Sequence, residues 1–290
     1  MNTTVLMSSA RYFSNEQQIN PYYADESVDI NAAMREHDQL RATIEQAGIT
    51  VRQVDAPSDS QDGVYTANWA LIRGDKAVLA RLPQARKPEE DWAERQLRSF
   101  GLNVVRVPED WHFSGQGDAL PCGKYLFSGQ GYRSDPRAQE FAARELGYTL
   151  VQLQTVPQLD SAGNPVINPV SGWPDSFYYD IDLAISMIRE PQSGQKGIIA
   201  YCPAAFTPES IATLDAMTDE FDFIIVSEQE ATKAFACNLV STGESVVMSA
   251  NAPQLKANLE ARGLRVLTPE VVELAKGGGF IRCQTLSFND

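Results

Sequence analysis

Histidine is nearly absent from this 290-residue chain: His37 and His112 are the two copies. A metal centre built on several imidazoles is therefore not expected. Cysteine is scarce too. Cys122, Cys202, Cys237 and Cys283 stand far apart, with no Cys-x-x-Cys pair, which argues against a zinc site and against the disulfide framework of a small secreted domain. Basic residues are in deficit, 24 Lys and Arg against 38 Asp and Glu, for a net charge of -14. Nucleic acid and anionic membranes recruit basic patches, so neither is expected as a partner. No apolar run approaches the ~20 residues of a membrane span. The start, Met1-Asn2-Thr3-Thr4, has neither the basic nor the apolar region of an export signal. These absences lead to the expectation of a cytoplasmic protein acting on a small molecule; a homo-oligomer is possible.

What the chain does have is enough apolar residue, 43%, to bury a large core, and a repeat. A glycine turn leads into a β-rich run at Gly74, Gly123, Gly194 and Gly243, in steps of 49, 71 and 49 residues. After each comes a break and a segment with apolar residues at helical spacing: Pro88 to Phe100, Pro136 to Leu146, Pro208 to Met217 and Pro253 to Arg262. Gly101, Gly147 and Gly263 then suit C-caps, and further β-rich runs follow at Leu102 to Val107, Tyr148 to Leu153, Phe221 to Val226 and Leu264 to Leu267. A fifth unit opens the chain, with a helix over Ile30 to Ala47 and a strand over Ile49 to Val54. Five such units without linkers predict a single α/β domain over residues 1–290, built by repetition. The longer middle step is filled by Asp160 to Pro174, rich in Pro, Gly, Asn and Ser, which reads as an inserted loop.

The chemistry-bearing residues cluster at equivalent points of these units. Lys276-Gly277-Gly278-Gly279-Phe280-Ile281-Arg282-Cys283 lets the backbone pass close to a neighbour and then, through a β-rich run, presents one thiol. Asp62-Gly63-Val64-Tyr65-Thr66-Ala67-Asn68 and Ser114-Gly115-Gln116-Gly117-Asp118 each precede an apolar strand. In Tyr179-Asp180-Ile181-Asp182, alternation puts both carboxylates on one face of a strand. A turn aspartate, a solvated strand face and a buried apolar cysteine are the plainer readings of these features.

Taken in order, these motifs, together with Phe235-Ala236-Cys237-Asn238, resemble the pentein, or guanidine-modifying, superfamily. The likeness runs from Ile19-Asn20-Pro21 to Cys283, and its nearest branches resemble the dimethylarginine dimethylaminohydrolases and the arginine dihydrolases and deiminases. The resemblance implies a five-bladed α/β propeller with a site on its axis. It implies that Cys283 is the nucleophile on a guanidinium or amidine carbon, forming a thioether-like adduct that water resolves. It further implies that Asp118 and Asp182 hold the guanidinium, that Arg81 and Arg133 hold a substrate carboxylate, and that Asn20 and Asn68 are residues typical of the dihydrolase branch. Asp62, Ser114 and Gln116 fall in the same motifs and are expected to line the substrate. No metal or organic cofactor is called for.

Two substitutions set the chain apart. The family's His-x-Asp reads Asp180-x-Asp182 here, and the glutamate positions of the second motif are Ser114 and Gln116. The missing imidazole is the family's general acid–base, help typically worth ~10²–10⁴ in rate. An ordinary carboxyl, with a pKa near ~3.9, is ionised at neutral pH and donates no proton. Asp180 could take over only if burial beside Asp118 and Asp182 raised its pKa. The function expected is a cysteine-dependent hydrolase of a C–N bond in an amidine-like, amino-acid-derived substrate. The alternatives are a degenerate or amidine-binding member of the fold, or an amidinotransferase. His112, beside Trp111 and Phe113, reads as part of a packed aromatic edge rather than as a relocated base.

Overall fold

The four repeat glycines all adopt positive φ, between 58° and 93°, and each turns a hairpin that an L side chain would strain. The expected middle strands are thereby joined to inner strands lying just before them. The computed structural model describes residues 1–169 and 174–288. The first blade contains β1 (Thr4–Ser8), α1 (Ile30–Gln46) and β2 (Thr50–Val54). The second is β3 (Ala70–Arg73), β4 (Lys76–Leu79), α2 (Lys87–Ser99) and β5 (Asn103–Arg106), and the third β6 (Ala119–Cys122), β7 (Tyr125–Gln130), α3 (Pro136–Leu146) and β8 (Thr149–Gln154). The fourth is β9 (Ile185–Arg189), β10 (Gly197–Tyr201), α4 (Pro208–Asp215) and β11 (Phe221–Ile225). After a short α5 (Glu228–Ala234), the fifth is β12 (Val240–Ser241), β13 (Ser245–Val247), α6 (Pro253–Glu260) and β14 (Arg265–Leu267). The last strand, β15 (Leu286–Phe288), returns to pair antiparallel with β1 and completes the first blade.

Each blade is therefore a three-stranded sheet whose inner strand is antiparallel, and whose outer strand is parallel, to the middle one. The arrangement is the expected five-bladed α/β propeller. Its strands are apolar on both faces because a sheet standing between two neighbours buries both. In β4, Ala77 and Leu79 join the core shared with Leu6 and Leu286 of the first blade, while Val78 joins the core shared with Phe113 and Leu126 of the third. β1 does likewise, sending Val5 and Met7 one way and Leu6 the other. Each such side chain contributes about 1.5–3 kcal/mol on burial.

The helices cover the outside with one face each. α1 starts at Asp29, whose carboxylate accepts from the Asn31 and Ala32 N–H groups at 2.9 and 3.1 Å, and it buries Ala33, His37, Leu40 and Ile44. Of the inserted loop, residues 170–173 lie outside the described residues. The remainder is held by a turn in which Asp160 accepts from the Ala162 and Asn164 N–H groups. Among the described residues no helix is long and apolar enough to cross a membrane.

Candidate functional site

Four of the inner strands are entered through one turn of 3-10 helix: Thr66–Trp69, Gly115–Gly117, Ile181–Leu183 and Arg282–Gln284. The fifth, β12, follows α5, where Phe235 takes φ 51° and stacks on Phe280, ring centroids 5.2 Å apart. These tight turns aim side chains at the axis that a continuous strand would send into the inter-blade core. Two expectations are corrected here. Asp180 and Asp182 are not on a strand: Asp180 precedes the 3-10 turn and Asp182 lies within it, because the Ile181 N–H is drawn to Asp118 Oδ1 at 3.0 Å rather than into a ladder. Cys283 likewise rides a 3-10 turn, with its strand following it.

At the base of the axial niche, the Cys283 thiol meets Asp182 Oδ2 at 3.5 Å and accepts from Asn238 Nδ2 at 3.2 Å. Asn238 Oδ1 accepts from the Arg282 and Cys283 N–H groups at 2.8 and 3.2 Å, so one amide fixes the whole turn. Burial pushes the Cys283 thiol well above its usual range, and the Asp182 charge adds to this. Burial and Asp180 push the Asp182 carboxyl up to about 8, against the pull of Arg282. Asp118 is also pushed well up by burial and by Asp180. At about 8, the Asp182 carboxyl favours its protonated form at neutral pH.

Asp180 is placed differently. Its carboxylate accepts from Asn68 Nδ2 at 2.9 Å and Ser114 Oγ at 2.8 Å, and pairs with Arg133 Nη1 at 3.4 Å. Arg133 in turn stacks over Tyr179, 4.0 Å from the ring centroid. Asn68 is held from behind by Arg86, whose Nη1 donates to Oδ1 at 2.7 Å while Glu89 neutralises its charge. Gly117 is obligatory at this crossing: a Cβ would come within 2.3 Å of Asn68 Nδ2. Asp62, pushed up to about 6 by burial, accepts from the Tyr23 hydroxyl at 2.7 Å, and its other oxygen has no protein partner among the described residues. The glycine run 277–279 passes over Tyr65, whose ring a Cβ at Gly279 would strike at 2.6 Å.

The niche is lined by Cys283, Asp180, Asp62, Asn68, Asn20 and Arg133 among others, and encloses about 10 Å³. Outside it lies a cavity of about 250 Å³, with Gln84, His112, Tyr132 and Asp175 in its walls; Ile19, Asn20, Arg133 and Tyr179 belong to both. Of the expected residues, Asp118, Asp182, Ser114, Gln116 and Arg81 line neither cavity. Gln116 is spent on structure, bonded to the backbone of Ser287 in both directions at 2.8 Å and to Arg282 at 2.9 Å. Arg81 turns outward to the Val107 carbonyl and Glu90, and it lines neither cavity. His112 is half exposed, pairs with Asp135 at 3.7 Å, and stays in the outer cavity. Asn238, Arg86 and the tyrosines 23, 65 and 179 are additions that motif reading does not select. Among the described residues no cluster of three or more His, Cys, Asp or Glu side chains is arranged to hold a metal.

The chain has relatives of known family and fold. A family model described as N,N dimethylarginine dimethylhydrolase, eukaryotic, matches residues 9–166. The N(G),N(G)-dimethylarginine dimethylaminohydrolase of Mycobacterium tuberculosis is 30% identical over 286 residues, covering 98% of this chain and 85% of that protein. The bifunctional arginine dihydrolase/ornithine cyclodeaminase ArgZ of a Synechocystis species is 28% identical over 97% of this chain, which spans only 37% of ArgZ's length. The solved N-terminal domain of an ArgZ variant, covalently bonded to a reaction intermediate, superposes with a TM-score of 0.85 at 26% identity, covering 99% of this chain and 98% of that one.

Proposed function

The chain belongs to the dimethylarginine dimethylaminohydrolase family of the pentein superfamily, and from that premise we propose that it is a cysteine-dependent hydrolase of a guanidine or amidine C–N bond. Residues 1–290 act as one catalytic domain, and the substrate is amino-acid-like. The supporting observation is the contact of the Cys283 thiol with Asp182 Oδ2 at 3.5 Å. Asp182 carries the proton in place of the absent histidine, while Asp180, already engaged by three donors, orients Arg133 and the niche wall.

A guanidinium supplies the missing activation. A unit positive charge ~4 Å from Asp182, at an effective dielectric near ~20, is worth about 4 kcal/mol, or about three pKa units. That moves a carboxyl starting at about 8 into its ionised form at neutral pH. The thiol proton passes to Asp182 Oδ2 as the S–C bond forms, and Asp182 then delivers it to the leaving nitrogen as the C–N bond breaks. Water next attacks the adduct carbon; as the S–C bond breaks, one of its protons passes through Asp182 to the departing thiolate, and the other stays on Asp182 and restores its resting carboxyl. Asp118 accepts from the substrate's remaining N–H groups. The unpartnered oxygen of Asp62 suits an α-ammonium group, and Arg133 suits a carboxylate. The substrate arrives from the outer cavity and displaces the shared wall of Asn20, Arg133 and Tyr179, because a niche of about 10 Å³ holds about one water.

The raised thiol of Cys283 favours a second reading, binding without turnover. The two separate in one experiment. Wild type and Cys283→Ser are incubated with arginine, methylated arginines, agmatine, guanidino acids and simple amidines, and products and intact-protein mass are followed. Turnover or an adduct in wild type that is lost in Cys283→Ser supports the hydrolase; tight binding with neither product nor adduct supports the binder.

A further inference from the structure

A second axial space lies beneath Asp182. It encloses about 30 Å³, is lined by Ser186, Cys237, Asp182 and Arg282, and is flanked by the half-buried Met1 and Asn2. About 10–15 Å³ of such space accommodates one water, so this cavity has room for about two. Asp182 is one of its lining residues, and its two oxygens differ: Oδ2 faces the Cys283 thiol, and Oδ1 is fully buried without a protein partner among the described residues. A buried carboxyl oxygen left without a donor or acceptor is costly unless water serves it. The groups facing Asp182 are Asp180 from its own turn, Arg282 and Cys283 from the turn before β15, and Cys237 and Asn238 from the turn before β12. Arg282 is tied to Thr285 and Gln116, which leaves Asp182 as the titratable acid at this end.

We propose that this cavity holds a short water chain through which Asp182 exchanges its proton with solvent from the side of the propeller opposite the substrate. The inference rests on the hydrolase reading for its purpose. When a cationic substrate enters, the carboxyl proton of Asp182 must leave before Asp182 can accept the thiol proton, and the niche side is then occupied. In hydrolysis of the adduct, one proton of the attacking water restores the thiol and one is surplus. The displaced proton passes from Oδ1 to the axial water, so the cation gained is balanced by the proton lost, and the surplus proton of the attacking water then restores the resting Asp182 carboxyl.

The test needs no turnover. Cys283 is first alkylated with iodoacetamide to block the niche, and the Asp182 carboxyl C=O band is identified in the infrared by its absence from Asp182→Asn. Exchange of that band is timed after transfer into D2O. The alkylated wild type should exchange within the mixing time, whereas Ser186→Val, which narrows the cavity, should exchange at least about tenfold more slowly. Leu239→Phe, a second filling variant, should do the same, and Ser186→Ala should remain fast. Equal rates in filled and unfilled proteins, or no band assignable to Asp182, would overturn the proposal. If exchange behaves as expected while no substrate of the panel turns over, the hydrolase reading fails and the proton route stands.

Discussion

The wall around Asp180 and the wall around Asp182 are built from the same turn, two residues apart, yet they differ in kind. Asp180 is surrounded by Asn68, Ser114 and Arg133 and has its charge matched. Asp182 keeps one oxygen without a protein partner, faces a thiol, and is pushed up to about 8. A carboxylate saturated with donors can position its neighbours but has nothing to exchange. A carboxyl poised near neutral pH can take a proton and return it. Identical side chains at adjacent sites thus acquire separate roles from their partners alone.

Neutralising each residue in turn tests that contrast most severely. Asp182→Asn should cut kcat by ~10²–10⁴ with KM little changed. Asp180→Asn should instead strand the buried Arg133 and lower unfolding stability by about 3–5 kcal/mol, read by urea titration. A large stability loss in the first and a purely kinetic loss in the second would reverse the assignment. A gentler test uses pH. Because the folded protein holds the Asp182 proton more tightly than the unfolded chain does, this group's stabilisation is fully present below the ordinary carboxyl pKa and is lost as pH rises through about 8. Between pH 7 and pH 9 the loss is about 1 kcal/mol, visible as a falling Tm that flattens in Asp182→Asn and not in variants of the Asp180 wall. The smallest effect is expected at His112, half exposed in the outer cavity: His112→Gln should leave kcat/KM within about twofold.

The sequence exposes repetition well and partnership poorly. The glycine turns spaced 49 residues apart and the proline and glycine helix borders are local signals, and α3 spans the expected Pro136–Leu146. The 3-10 turns that carry the site are too short to show a period, which is why Asp180 and Asp182 read as a strand. α5, seven residues long, is hidden for the same reason. Cys283 is visible through its glycine run. Asn238 lies in plain sight in Phe235-Ala236-Cys237-Asn238, and its place just before an inner strand, like that of Asn68, is the signal that would select it. Gln116 and Arg81 mislead because their partners are tertiary: Gln116 answers to Ser287, 171 positions away.

The antiparallel pairing of β15 with β1, Thr4 opposite Phe288 and Leu6 opposite Leu286, couples the nucleophile to closure of the ring. The turn holding Cys283 immediately precedes the strand that completes the first blade. Because synthesis runs from the N-terminus, Asp118 and Asp182 are made before this strand. A chain that stops between Asp182 and Cys283 carries both Asp118 and Asp182 but not the Cys283 thiol, and the arrival of Cys283 reactivity serves as a clock for ring closure.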